Sequence, residues 1–202
     1  VRRGLANFPD RHAANEAVTD AIETELSETR RREPWEGHRI QLHELLIDQR
    51  TKNGDYAGAL ESVADLDDLE HADGNRLLSF ASETLEEGYE SVASEALDIA
   101  AERMNDPEGV DVIDLMRGQA AGSHHDYLTA DSLFTVVADK PASARVERSA
   151  LMSRGLLRLQ KLDRPREAVQ DFRVVRELGW PDRDRRLDYY EAIGLVQIDS
   201  LE

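Results

Sequence analysis

The segment Gly122-Ser123-His124-His125-Asp126 gathers a hydroxyl, two imidazoles and a carboxylate, the groups that both nucleophilic catalysis and zinc binding use. Adjacent histidines on a helix point to different sides, only one further carboxylate lies close by, and a triad needs a spatial arrangement that neighbours in sequence do not supply. The pattern therefore predicts a simpler role, in which Ser123 or Asp126 caps the helix that follows. His12, His38, His43 and His71 form no ligand-spaced pair. There is no glycine-rich phosphate loop, no His-Glu-x-x-His and no nucleophile elbow. With no cysteine, a disulfide framework, a thiolate metal site and a cysteine nucleophile are all excluded. The expectation is a protein without chemistry of its own: not an enzyme, with no catalytic residue, cofactor or metal.

The charge narrows the partners. Acidic residues number 42 against 25 basic ones, a net charge of -17, and only Lys52, Lys140 and Lys161 are lysines. A chain so acidic repels the nucleic-acid backbone and anionic membranes, so the expected partner is a protein or peptide, with no nucleic acid. A carboxylate-rich, lysine-poor surface suits high salt, and a GC-rich genome gives the same bias through arginine; composition leaves both readings open. Residues 140 to 202 carry 13 basic and 11 acidic residues, a net of +2, which leaves -19 for residues 1 to 139. Asp65, Asp67, Asp68, Glu70 and Asp73 form one acidic run, and Glu83, Glu86, Glu87 and Glu90 another. These read as a solvated outer face or as a place where a basic partner is steered. Arg164, Arg166, Arg173, Arg176, Arg183, Arg185 and Arg186 make the C-terminal end basic, with Glu167, Asp171 and Glu177 at helical spacing as expected local partners. No apolar run is long enough to cross a bilayer and the first ten residues lack a signal-peptide core, which points to the cytoplasm and to no membrane insertion. The first residue is Val, and an N-terminal segment carrying a targeting signal is left open.

The elements follow from apolar periodicity. Tyr56-Ala59-Val63-Leu66, Tyr89-Val92-Ala96-Ile99, Tyr127-Ala130-Phe134-Val137 and Pro165-Ala168-Phe172-Val175 share offsets of three, four and three residues, so each keeps one helix face apolar. Periodicity and breakers predict ten helices near 10–31, 36–52, 55–69, 74–87, 89–104, 109–121, 125–139, 143–161, 164–178 and 183–199. No segment alternates as a strand does, so the class is all-α. Short loops join neighbouring helices as antiparallel hairpins.

Gly54-Asp55-Tyr56-Ala57-Gly58-Ala59-Leu60 resembles the tetratricopeptide (TPR) repeat, in which such a turn opens the second helix of each hairpin. Pro165-Arg166-Glu167-Ala168-Val169-Gln170-Asp171-Phe172 is similar, with Gly155 where that family keeps a glycine, and Gly118 plays the matching part before Tyr127. The resemblance implies an α-α superhelix, a TPR-like solenoid. Residues 1–35 would form a flanking helix, 36–178 four hairpins, and 179–202 a C-terminal helix that is either a cap or the first half of a further repeat. The spacing departs from the regular 34 residues: 33 from Tyr56 to Tyr89, then 38 and 38. Ile47, Phe80 and Leu156 stand at or beside the expected glycine. Another helical-hairpin solenoid and a compact helical bundle are the competing arrangements.

Carried over by this resemblance, the ligand-facing positions are Gln41, Glu44, Asp48 and Thr51; Leu77, Ala81 and Thr84; Val112, Leu115 and Gln119; and Met152, Leu156 and Leu159. The implied function is a non-catalytic scaffold or adaptor that holds a peptide or helix of a partner on its concave face. Core packing competes with that role at every apolar position. Glu44 and Asp48 stand where a carboxylate-gripping subtype of the family has basic residues, so that clamp is not implied. The alternatives are a sensory or regulatory region of a larger signalling or transcription protein, and a structural assembly subunit. The last predicted helix is apolar nearly all round, with Gly194 at the repeat-glycine position. That predicts either a fragment of a longer solenoid or a homodimer formed through this helix.

Overall fold

The computed structural model describes residues 11–29, 36–180 and 185–200, and among them there are ten α-helices and no strand. They are α1 (Arg11–Thr29), α2 (Glu36–Lys52), α3 (Tyr56–Glu70), α4 (Asn75–Glu86), α5 (Glu90–Arg103), α6 (Pro107–Ser123), α7 (Tyr127–Asp139), α8 (Ala144–Gln160), α9 (Pro165–Glu177) and α10 (Arg186–Ser200). The helices pack as sequential antiparallel hairpins, the arrangement of an α-α repeat. Local chemistry sets their starts. The carboxylates of Asp55, Asp106 and Asp126 accept the backbone N–H three residues on, at 2.9, 2.8 and 3.3 Å, and Ser143 does the same for Val146. Pro107 and Pro165 occupy first helical positions, where no N–H is needed. Asp126, not Ser123, is the cap of α7; Ser123 still belongs to the end of α6.

The chain divides after Arg103 into two compact units. In the first, the α2/α3 and α4/α5 hairpins stack through α3 and α4, and α1 lies against α2. In the second, α6/α7 and α8/α9 stack through α7 and α8, and α10 lies against α9. The apolar sets that predicted the second helix of each hairpin form the packed faces: Ala59, Val63, Leu66, Ala96, Ala130, Phe134, Val137, Ala168, Phe172 and Val175 are all buried. Tyr56 and Tyr127 both open a second helix, and each meets the next hairpin. The Tyr56 ring lies 6.3 Å from that of Phe80 on α4, and Lys161 after α8 sits 5.8 Å above the Tyr127 ring. Tyr89 precedes α5, its ring centre 4.3 Å from that of Tyr56 at a tilt of 36°, keeping 38% of its surface exposed.

One packing device recurs in the second unit. An added Cβ on Gly118 would lie 2.5 Å from the Phe134 ring, and one on Gly155 would lie 2.6 Å from the Phe172 ring. Each glycine therefore opens a socket in the first helix that a phenylalanine of the second helix fills. In the first unit the glycine positions carry Ile47 and Phe80 instead, and the residue sixteen positions on, in the second helix, is Val63 or Ala96 in place of a phenylalanine. Gly194 in α10 repeats the device, its hypothetical Cβ 2.6 Å from Val169.

Charged groups also lock the hairpins. Asp67, 1% exposed at the end of α3, accepts the backbone N–H groups of Gly74 and Arg76 at 2.9 and 3.0 Å at the start of α4, and its carboxylate lies 3.2 Å from Arg103 of α5. A carboxylate at a helix N-terminus faces the positive end of the helix dipole. The acidic run is thus only partly a solvated face, because Asp67 is internal, Glu70 pairs with Arg76 at 2.5 Å and Asp68 pairs with Arg103 at 3.0 Å. In the second unit Asp171 of α9 holds Arg154 of α8 through two bonds of 2.7 and 3.1 Å. Arg158 bridges Asp171 at 3.1 Å to Asp131 of α7 at 2.7 Å. Burial works to lower the Arg158 pKa, and the hydrogen bond with Asp131 and the two carboxylate charges outweigh it, so the group sits above its ordinary value and stays charged. Two of the C-terminal arginines pair between helices rather than along one: Arg176 reaches Asp188 at 2.7 Å and Glu191 at 2.9 Å on α10, and Arg173 reaches Glu191 at 3.2 Å, while Arg183 lies outside the described residues. Asp171, expected to pair along its own helix, turns instead to α8, because there a desolvated fork of arginines offers two-point contact.

Candidate partner-binding groove

The second unit carries an open groove of about 380 Å³ between the ends of α6 and α8, with the start of α7 at its base. Gly118 and Gly122, one turn apart on α6, keep that wall low. The Gly118 socket is filled by Phe134, whereas an added Cβ on Gly122 would meet only Ala130, at 3.9 Å. Leu156, Tyr127 and the edge of Phe134 supply an apolar floor, and Gln119, Ser123, Ser153 and Gln160 supply side chains that donate or accept hydrogen bonds. Lys161 closes one end, its ammonium held over the Tyr127 ring. An apolar floor with amides along its edges can take one apolar side chain of an extended chain and satisfy the adjacent peptide groups.

A second cleft, of about 500 Å³, lies within the first unit among α1, α2 and α3. Leu26 and Leu46 belong to its apolar base, buried with Ile22. Its polar lining includes Arg50, which hydrogen-bonds the Gly58 carbonyl and pairs with Glu23, and the buried His43, whose Nε2 lies 3.9 Å from an Asp65 oxygen.

The positions carried over from the repeat resemblance divide. Gln119 and Leu156 line the groove of the second unit. Gln41, Glu44 and Asp48 are exposed on α2 and line neither cavity; Asp48 binds Lys52 at 2.7 Å. Thr51 turns its hydroxyl back to the Ile47 carbonyl. Val112 and Met152 are half-buried against core clusters. Leu77, Ala81, Leu115 and Leu159 are core residues, at 0, 0, 7 and 4% exposure, and Thr84 is fully buried with its hydroxyl on the Phe80 carbonyl. These last five are corrections to the expected binding face. Neighbouring residues on an α-helix are about 100° apart, so one step of register carries a side chain from the open face to the packed one. Sequence reasoning missed Tyr127, Gly122, Ser153, Gln160 and Lys161. Gly122, one turn after the Gly118 that seats Phe134, was the signal for them, since its missing side chain leaves room beside α6.

The chain matches no protein-family model and no curated protein. The His124–His125 pair is exposed, with His125 at a positive φ of 64° in the turn before α7. Among the described residues no group of three or more His, Asp or Glu side chains is placed to hold a metal ion, and no helix is long and apolar enough to cross a membrane.

Proposed function

We propose that the protein is a non-catalytic interaction scaffold of TPR type, and that the groove between α6 and α8 holds a short extended segment of a partner protein. The observation that supports this reading is the combination in one groove of an apolar floor at Leu156 and Tyr127 with amide side chains, Gln119 and Gln160, on opposite helices. Peptide backbone carries one donor and one acceptor per residue, and a glutamine amide supplies both. An apolar anchor of the partner would rest on Leu156 beside the space that Gly122 leaves open. The unit that carries the groove has 14 basic and 18 acidic residues over positions 104–202, a net of -4, whereas residues 1–103 hold the remaining -13. The groove therefore lies in the half that repels an acidic partner least.

The test is selection from a random peptide display library on the whole chain, followed by affinity measurement on the selected peptides. Convergence on a short motif with a central apolar residue is expected, and Gly122→Leu, which fills the open wall, should weaken that binding by about tenfold or more, the effect of losing one well-packed anchor. Gln119→Ala should weaken it less. Selected peptides whose affinity is unchanged by Gly122→Leu, in a variant with wild-type helicity, would remove the groove from the reading.

A further inference from the structure

The helix α10 has two apolar faces, and among the described residues only one is packed. Leu187, Tyr190 and Ile193 pack into the core beside Phe172 and Leu159, and Gly194 meets Val169. The opposite face bears Arg185, Tyr189, Ala192, Val196 and Asp199, all exposed, with Tyr189 at 62% and Val196 at 68%, and Leu195 at 42% on its flank. The steps between those five residues are four, three, four and three. That is the spacing of a seam at which two helices pair knobs into holes. Its ends carry opposite charges: Arg185 at the start and Asp199 fourteen residues later.

From this charge pattern we infer that the face is covered by α10 of a second copy of the chain, running antiparallel about a two-fold axis at Ala192. In that arrangement residue positions sum to a constant, so Ala192 meets its own counterpart, Tyr189 lies opposite the partner copy's residue 195, and Arg185 lies opposite the partner copy's residue 199. The charged contact forms twice, as an isologous interface requires. A parallel pair would instead set Arg185 against Arg185 and Asp199 against Asp199. The small Ala192 at the centre lets the two helices approach closely where the bulkier residues on either side interlock. The copies each carry -17, so their mutual repulsion is long-ranged in dilute buffer and confined to about 8 Å at physiological ionic strength, where the local pairs decide.

Sedimentation equilibrium of the 202-residue chain at physiological salt and above tests this. A concentration-dependent dimer is expected, and Arg185→Asp or Asp199→Arg alone should each weaken it by about tenfold or more, since every dimer then contains two like-charge contacts. The double variant Arg185→Asp/Asp199→Arg should restore the wild-type affinity, and an equimolar mixture of the two single variants should pair preferentially as a heterodimer. Because the chain has no cysteine, Ala192→Cys should also form a disulfide dimer on mild oxidation. Gly122→Leu, in the groove, should leave the dimer unchanged. A monomer at all concentrations would overturn the inference and assign the face to another chain or another segment. So would a dimer indifferent to both charge reversals. Arg185, Ala192 and Asp199 are all exposed, so loss of fold is not the expected cause of any change.

Discussion

Replacing Asp67 by alanine is expected to destabilise the first unit by about 3–5 kcal/mol, the typical cost of removing one partner from a buried ion pair. The estimate follows from what the carboxylate does in place. It is 1% exposed, it satisfies the N–H groups of Gly74 and Arg76 at the start of α4, and it faces the Arg103 guanidinium. Alanine leaves two helix-start donors and part of a guanidinium without their acceptor, and each such group bears its own desolvation cost. Asp67→Asn keeps one acceptor oxygen and the shape, so a smaller loss, about half, is expected from the neutral hydrogen bond that remains. Asp73→Asn, in the same acidic run but exposed and at a positive φ of 50° that asparagine also tolerates, should change stability by less than about 0.5 kcal/mol. Urea denaturation of the three variants checks the order, and equal effects of Asp67→Asn and Asp73→Asn would contradict the role given to Asp67.

The second large effect is expected at the glycine–phenylalanine sockets. Phe172 is fully buried, and Phe172→Ala should cost about 3–5 kcal/mol through lost burial and the cavity left behind. Gly155→Phe should be at least as damaging, because even a Cβ at that position would stand 2.6 Å from the Phe172 ring. The informative variant is the pair. Gly155→Phe/Phe172→Ala moves the large side chain to the first helix and the small one to the second, and should recover more than about 1 kcal/mol of the summed losses, the coupling expected for residues in contact. Strict additivity of the two single effects in thermal or urea unfolding would show that the sizes are not exchanged across one contact. A milder probe, Gly155→Ala, sets about 1 kcal/mol of gained helix propensity against a forced shift of the ring, and a net destabilisation is expected because Phe172 has no free space to retreat into.

Much of the fold was legible because apolar periodicity is a direct record of burial. The set Tyr127-Ala130-Phe134-Val137 predicted a helix over 125–139, and α7 spans Tyr127–Asp139 with Ala130, Phe134 and Val137 buried. The turn chemistry was equally plain, with Asp55 and Asp126 capping the helices that follow them. The binding face was far less legible. The repeat resemblance puts Leu77, Ala81 and Leu115 on an open surface, and the fold buries them, since apolar type alone cannot distinguish a packed face from one turned to a ligand. Long-range charge pairing was illegible for a related reason. Arg158 meets Asp131 and Asp171 from two other helices, and nothing in a local window shows that α7, α8 and α9 bring these three together. The predicted helix over 10–31 also runs past Thr29 into residues 30 and 31, which lie outside the described residues.

The scaffold reading is tested most directly by mapping a selected peptide onto the chain with side-chain resonances of leucine, glutamine and tyrosine. Saturable shifts are predicted at Gln119, Tyr127, Leu156 and Gln160, while Gln41 on α2 and the buried Leu77 stay unmoved. A saturable footprint that leaves Leu156 and both glutamines of the groove unperturbed would contradict it.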